Sequence, residues 1–210
     1  MFAFLAWVPL LAVTAATAPG YKHVGGKSGV EVYRQMQSPV IELLAEGEID
    51  APPSVVRDVL IDYPNARKTS DHVAESRILA SGLRQVTVYQ RLNLPVISDR
   101  DFTLHAAWGE RGDITWVRFR VDNANGPAAR NGVVRLQTLN GGWDLRPIRN
   151  GTATQAVYRV QIDLAGDVPM WMVSGGAAKD LPKLFDNVRQ QARGRSATAA
   201  ASVSAERRSF

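Results

Sequence analysis

The sequence contains no cysteine, which excludes disulfides, zinc–thiolate and iron–sulfur sites and a thiol nucleophile. Histidine is scarce: His23, His72 and His105 stand far apart, without the spacing of metal ligands. There is no Gly-x-Ser-x-Gly elbow and no phosphate-binding glycine loop. Catalysis needs positioned acid–base groups, and the sequence displays no such signature, so neither an enzyme nor a cofactor or metal is expected. No Lys, Arg, Asp or Glu precedes Lys22. From Lys22 onward, 25 Lys and Arg against 20 Asp and Glu give a net charge of +5. That excess permits transient contact with an anionic membrane but is not the footprint of a nucleic-acid binder. What is present is ordinary globular composition, 45% hydrophobic and 21% charged over 210 residues, enough for one sizeable core.

The uncharged N-terminus reads as an address. Phe2 to Val13 is an apolar run, followed by the small residues Thr14 to Ala18, the order of an export signal. Residues 1–18 are therefore expected to be a signal peptide, cut after Ala15 or Ala16, since a cut after Ala18 would leave Pro19 first. The n-region has no basic side chain, so a retained membrane anchor is the alternative; about 20 apolar residues cross a bilayer. Pro9 and the short apolar core argue against the anchor. The first reading makes the protein periplasmic or secreted, the second membrane-anchored.

From residue 20 to 193 the pattern predicts one α+β domain. Gly29–Gln35 and Val40–Ile49 read as strands. Asp50-Ala-Pro-Pro predicts a helix start with Asp50 as cap, and Val55, Val56, Val59 and Leu60 follow at helical spacing. The helix is expected to end before Tyr63-Pro64, because a residue preceding proline avoids the α region. Strands are then predicted at Val73–Ala80, Gln85–Leu94, Asp101–Trp108, Ile114–Asp122, Val133–Leu139, Trp143–Ile148 and Thr152–Leu164. They are separated by turn residues, among them Gly141-Gly142 and the hairpin signal Asn150-Gly151, which makes an antiparallel meander. Alternation assigns Val86, Val88, Leu92, Phe102, Leu104, Ala106, Val117, Phe119, Tyr158 and Val160 to an inner face. Arg118, Arg120, Arg159, Gln161 and Asp163 fall on a solvated face. A last helix is expected from about Pro169 to Arg193, kinked or split at Pro182, with an apolar stripe that includes Ala177, Leu181, Leu184 and Phe185. Its basic residues Lys179, Lys183, Arg189 and Arg193 lie largely outside that stripe. Residues 194–210, rich in Ala, Ser and Thr without periodicity, are expected to be a disordered tail.

A curved sheet closed by one helix encloses more space than the helix fills. The medium-sized inner residues, with Ala106 and Ala177, either leave a cavity or pack solid. Several segments, in order, resemble the START domain (steroidogenic acute regulatory protein-related lipid transfer), a helix-grip, Bet v1-like fold. They are Gly29-Val-Glu-Val-Tyr-Arg, Ala45-Glu-Gly-Glu-Ile-Asp-Ala-Pro-Pro, Val88-Tyr-Gln, Val96-Ile-Ser-Asp-Arg-Asp-Phe, Gly142-Trp-Asp-Leu-Arg-Pro-Ile and Asp167-Val-Pro-Met-Trp-Met-Val. The resemblance implies a curved antiparallel sheet gripping a long C-terminal helix, with a hydrophobic tunnel for one lipid or other apolar small molecule, in a monomeric carrier or sensor. The residues expected to line the tunnel are Val88, Gln90, Leu92, Phe102, Leu104, Ala106, Phe119, Thr138, Tyr158, Val160, Trp171, Ala177 and Leu181. The sequence departs from the family in two respects. A Trp that often follows the Tyr-Pro of the first helix is replaced here by Ala66. The carboxylate and arginine of sterol-binding members fall on Gln90 and Ala106, so no buried ion pair is expected. Gln90, on an apolar face, either meets a ligand headgroup or bonds a neighbouring side chain. Arg100 and Asp101, adjacent on a strand, are expected to tie strand to loop. Trp171 either covers the tunnel mouth or packs in the core. A cyclase- or hydrolase-like enzyme using the same cavity is the alternative function.

Overall fold

A computed structural model describes residues 20–37, 40–166, 168 and 176–206. The expected signal or anchor segment lies outside them. Ten strands form one sheet: β1 (Lys22–Lys27), β2 (Val30–Gln37), β3 (Val40–Ile49), β4 (Val73–Gly82), β5 (Gln85–Leu92), β6 (Arg100–Arg111), β7 (Ile114–Val121), β8 (Val134–Arg135), β9 (Thr138–Ile148) and β10 (Ala153–Asp163). Their order is β1-β2-β3-β10-β9-β7-β6-β5-β4, with β8 pairing in parallel with β6 off that path. Every other pairing is antiparallel. Among the described residues two α-helices, α1 (Pro53–Leu60) and α2 (Ala177–Glu206), and 3₁₀ helices at Tyr63–Lys68, Asn123–Asn125 and Arg149–Gly151 complete the frame.

The helix α1 forms where proline sets the first turn and buries Val56 and Val59. Its cap is not Asp50: Pro52 occupies the cap position without a side-chain hydrogen bond, and Asp50 instead accepts from Arg149 Nη1 at 2.6 Å. Two residues of loop thus separate the acid from the helix it was expected to cap. The helix α2 packs against α1 on the same side of the sheet and runs unbroken past Pro182. That proline sits in the second turn, where a missing N–H removes only one hydrogen bond near a helix end. It also continues past Gly194 to Glu206, so most of the tail expected to be disordered is helical. The Ala-rich run after Ser196 explains this, since alanine is the best intrinsic helix former. Residues 169–175, where the helix was expected to begin, lie outside the described residues.

The middle of the meander differs from the sequence pattern at one place. Gly141 and Gly142 do not turn the chain; they lie inside β9, which runs from Thr138 to Ile148. A Cβ on Gly141 would stand 2.3 Å from the Arg159 carbonyl oxygen and 2.9 Å from Phe119 Cζ. On Gly142 it would stand 2.2 Å from the Val117 carbonyl oxygen and 2.8 Å from Arg118 Cδ. The pair is there because strands β7 and β10 close tightly on β9, not because a turn needs it. Arg118, expected in solvent, lies across Gly142, donates to the Trp143 carbonyl at 2.6 Å and pairs with Asp144, leaving its side chain 14% exposed. Two clusters make up the core. One gathers Val32, Ala45, Val56, Trp143, Phe185 and Val188 beneath the helices; the other gathers Val88, Phe102, Leu104, Ala106 and Val160 toward β5. Leu43, Ile61, Trp108 and Tyr158 pack against both.

Candidate functional site

Where the two clusters part, a cavity of about 390 Å³ opens between the sheet, the segment after α1 and the helix α2. Drug-sized ligands occupy pockets of about 300–1,000 Å³. The sheet wall is built by cross-strand rows. Tyr158 pairs with Trp143 and Trp143 with Val117; one step along, Val160 pairs with Gly141 and Gly141 with Phe119. Gly141 has no side chain to fill its place in the second row, so Phe119 approaches Val160 directly. The aromatic floor is continuous: Tyr158 lies 4.6 Å from Trp143 between ring centroids, Trp143 5.0 Å from Phe185, and Phe119 6.5 Å from Tyr158. The opposite wall comes from Tyr63, Ala66, Thr69 and His72, and α2 supplies Leu181 and Leu184.

Buried polar groups in this lining are few. Gln90, 8% exposed, donates from Nε2 to Ser76 Oγ at 3.1 Å and still lines the cavity. Its amide thus bonds a neighbouring side chain, the second of the two expectations, from a place on the cavity wall. Tyr63 and Tyr158 line the space as well, and burial pushes both phenols well above the usual tyrosine range. The charged lining residues gather at the mouth. There Lys183 pairs with Asp71, His72 Nε2 stands 3.4 Å from Asp180 Oδ2, and Asn187 Nδ2 donates to the Thr69 carbonyl at 3.1 Å. The hydrogen bond from Lys183 holds the Asp71 carboxyl below its ordinary value, and Asp71 raises Lys183 in turn.

Of the residues expected to line a tunnel, Gln90, Leu92, Phe102, Leu104, Phe119, Tyr158, Val160 and Leu181 do so. Val88 and Ala106 do not: both are fully enclosed in the core, beneath the lining. Thr138 lies opposite Asp163 on the other face of the sheet, and its neighbour Leu139 lines the cavity instead. Running β9 through Gly141-Gly142 moves the register by one residue, which turns a strand side chain to the opposite face. Ala177 opens α2, and Trp171 lies outside the described residues. Among the residues missed are those of the irregular wall, Tyr63 to Val73, with Leu43 of β3, Val117 of β7, Leu139 and Trp143 of β9 and Leu184 of α2. Ala66, the position at which the resemblance pointed to a missing Trp, is one of them.

Two other polar constellations are structural. Asp101 is fully buried, accepts from Arg135 Nε at 3.0 Å and Nη2 at 2.7 Å, and accepts from the Tyr89 hydroxyl at 3.1 Å. Arg100 donates to the carbonyls of Leu164 at 3.2 Å and Ala165 at 3.1 Å. Arg100 ties β6 to the loop after β10, as expected, whereas Asp101 ties it to the strands β5 and β8. In a second depression Glu48 and Asp50 are both paired with Arg149, and Asp186 with Arg189. Among the described residues no cluster of three or more acidic or histidine side chains could hold a metal.

No protein-family profile and no curated protein matches the sequence. Solved structures do match. A STAR-related lipid transfer protein from Xanthomonas axonopodis superposes with a TM-score of 0.74 at 24% identity, covering 83% of this chain and 99% of that one. Human StAR-related lipid transfer protein 5 gives 0.73 at 19%, covering 85% and 88%. Human STARD10 gives 0.71 at 20%, covering 82% and 73%. The protein thus has the helix-grip fold of the START domains, a sheet gripping a C-terminal helix around an internal cavity.

Proposed function

We propose that the protein binds one lipid or similar apolar molecule in the cavity between the sheet and α2, for transport or sensing outside the cytoplasm. The observation that carries this reading is the cavity itself, about 390 Å³ in volume and walled chiefly by aliphatic and aromatic side chains. Water gains little in such a space, whereas each CH₂ moved into it contributes roughly 0.8 kcal/mol. The likeness to lipid transfer proteins, at identities of 24% or less, supports the same use. Location outside the cytoplasm rests on reading residues 1–18 as an export signal. Among the described residues no helix is long and apolar enough to cross a membrane. The basic residues of α2 are the part we propose to touch anionic lipid during exchange, with Lys183 and Arg189 first released from Asp71 and Asp186.

Native mass spectrometry of gently purified protein tests the reading. The expected result is a mass increment from a copurified apolar molecule, exchangeable for a nitrobenzoxadiazole-labelled lipid. Protein that carries nothing and takes up no labelled lipid would refute it.

A further inference from the structure

Two hydroxyls at the cavity make no hydrogen bond to any other described residue, those of Tyr63 and Tyr158. Tyr63 opens the 3₁₀ helix after α1 and is 8% exposed; Tyr158 stands at the centre of β10, stacked on Trp143. They reach the same space from opposite walls. Phenylalanine would fill either position with the same ring. Neither hydroxyl is sealed in the core: Tyr158 is half-buried and both oxygens face the cavity, where water or a guest is the partner left to them. Charge narrows the kind of guest. The charged lining residues Asp62, Asp71, His72, Asp180 and Lys183 all belong to the mouth, the most enclosed of them, Asp62, with 26% of its side chain exposed. Among the described residues no Lys or Arg lines the cavity except Lys183, itself paired with Asp71, so nothing there neutralises a carboxylate or phosphate brought to the tyrosines, and an unpaired charge in an apolar cavity is far costlier than a neutral polar group.

We propose that Tyr63 and Tyr158 form a polar subsite for a neutral oxygen, a hydroxyl or carbonyl, at the buried end of an otherwise apolar guest. A phenol both donates and accepts. One tyrosine can donate to the guest oxygen while the other accepts from its hydroxyl, or both can donate to a carbonyl. The guest then enters with its neutral polar end first and leaves any charged group at the mouth, beside Lys183 and Asp71. This inference rests on the lipid-binding reading above and adds the headgroup class to it.

The test uses the delipidated full-length chain and displacement of anilinonaphthalene sulfonate by hexadecanol, hexadecane and palmitate. The expected order places hexadecanol ahead of both others. Tyr63→Phe and Tyr158→Phe each weaken hexadecanol about three- to tenfold, the weight of one hydrogen bond, and leave hexadecane unchanged. The ligand-free melting temperature of each variant stays level or rises, because an unpartnered hydroxyl has been removed. Equal displacement by hexadecane and hexadecanol overturns the subsite and leaves lipid binding standing. Palmitate ahead of hexadecanol overturns it too, as does a lower ligand-free melting temperature or a failure to fold in either variant, since the hydroxyl would then be bonded within the protein. If none of the three compounds displaces the dye, the subsite and the lipid-binding reading fall together.

Discussion

Asp101 shows at the scale of one residue how the meander is pinned. Its carboxylate takes a two-pronged grip from Arg135 and a third hydrogen bond from Tyr89, which joins β5, β6 and β8 at one buried point. Asp101→Asn leaves the Arg135 guanidinium, 15% exposed, without its counter-charge. Breaking a buried pair costs about 3–5 kcal/mol, and urea unfolding should show a loss near the lower end, because Arg135 retains the Pro127 carbonyl at 2.7 Å. Tyr89→Phe, which removes one of three bonds, should cost about 1 kcal/mol. Gly141 gives a second prediction of a different kind. Gly141→Ala sets a methyl against the Arg159 carbonyl, a backbone atom that cannot swing aside. A loss of about 1–3 kcal/mol is expected from overpacking, accompanied by weaker guest binding because Phe119 is displaced into the cavity. Neither glycine's role was legible in the sequence. A Gly-Gly pair between apolar runs has the signature of a turn, and only the neighbouring strands reveal that the side chains are missing for want of room.

Strands and helices differ in how clearly the sequence announces them. The pairs β5–β6 and β6–β7 and strand β10 could be read with their inner faces correct, because polar residues fill the alternate positions and leave one register that buries the rest. From those strands come Leu92, Phe102, Leu104, Phe119, Tyr158 and Val160, the sheet wall of the cavity. The facing wall has no period to read. Tyr63 to Val73 passes through a 3₁₀ helix and turns, and its lining residues are a mixture of Tyr, Ala, Thr and His whose placement depends on where α1 delivers the chain. The short β1 was missed for a related reason: Lys22–Lys27 contains Gly25-Gly26 and only one aliphatic residue. At the mouth this irregular wall meets α2 through polar contacts, Lys183 with Asp71, His72 with Asp180, Arg195 with Asp62, and Asn187 with the Thr69 carbonyl. Exposed pairs of this kind contribute little to global stability, yet all of them must part if α2 is to move away from the wall. The variant Asp71→Asn/Asn187→Ala should therefore speed exchange of a labelled lipid severalfold in stopped-flow measurements and shift the melting temperature by only a degree or two. Unchanged exchange with an unchanged melting temperature would place the route of entry elsewhere on the molecule.

The molecule as a whole carries an apolar hollow, and a hollow is a standing cost. Side chains lining it lack the contacts they would have in a packed interior, and folded domains have little stability to spare. A guest that binds only the folded state restores those contacts and adds free energy by mass action, about 2.7 kcal/mol at a hundred times its dissociation constant. For a chain of this length 1 kcal/mol moves the midpoint by about 2–4 °C, so saturating lipid should raise the melting temperature of delipidated protein by about 5–10 °C. Ala66 supplies the control. It lines the mouth where the segment after α1 faces α2, and Ala66→Trp fills that part of the hollow from within. The substituted chain should melt at or above the delipidated wild type, take up labelled lipid at least about tenfold more weakly, and lose most of its response to added lipid. The two measurements separate the ideas they test. If Ala66→Trp leaves uptake intact and lipid never stabilises the wild type, the guest binds folded and unfolded chains alike and the cavity is not its seat. If lipid stabilises both forms equally, the guest sits on an outer surface and the hollow is only a packing fault.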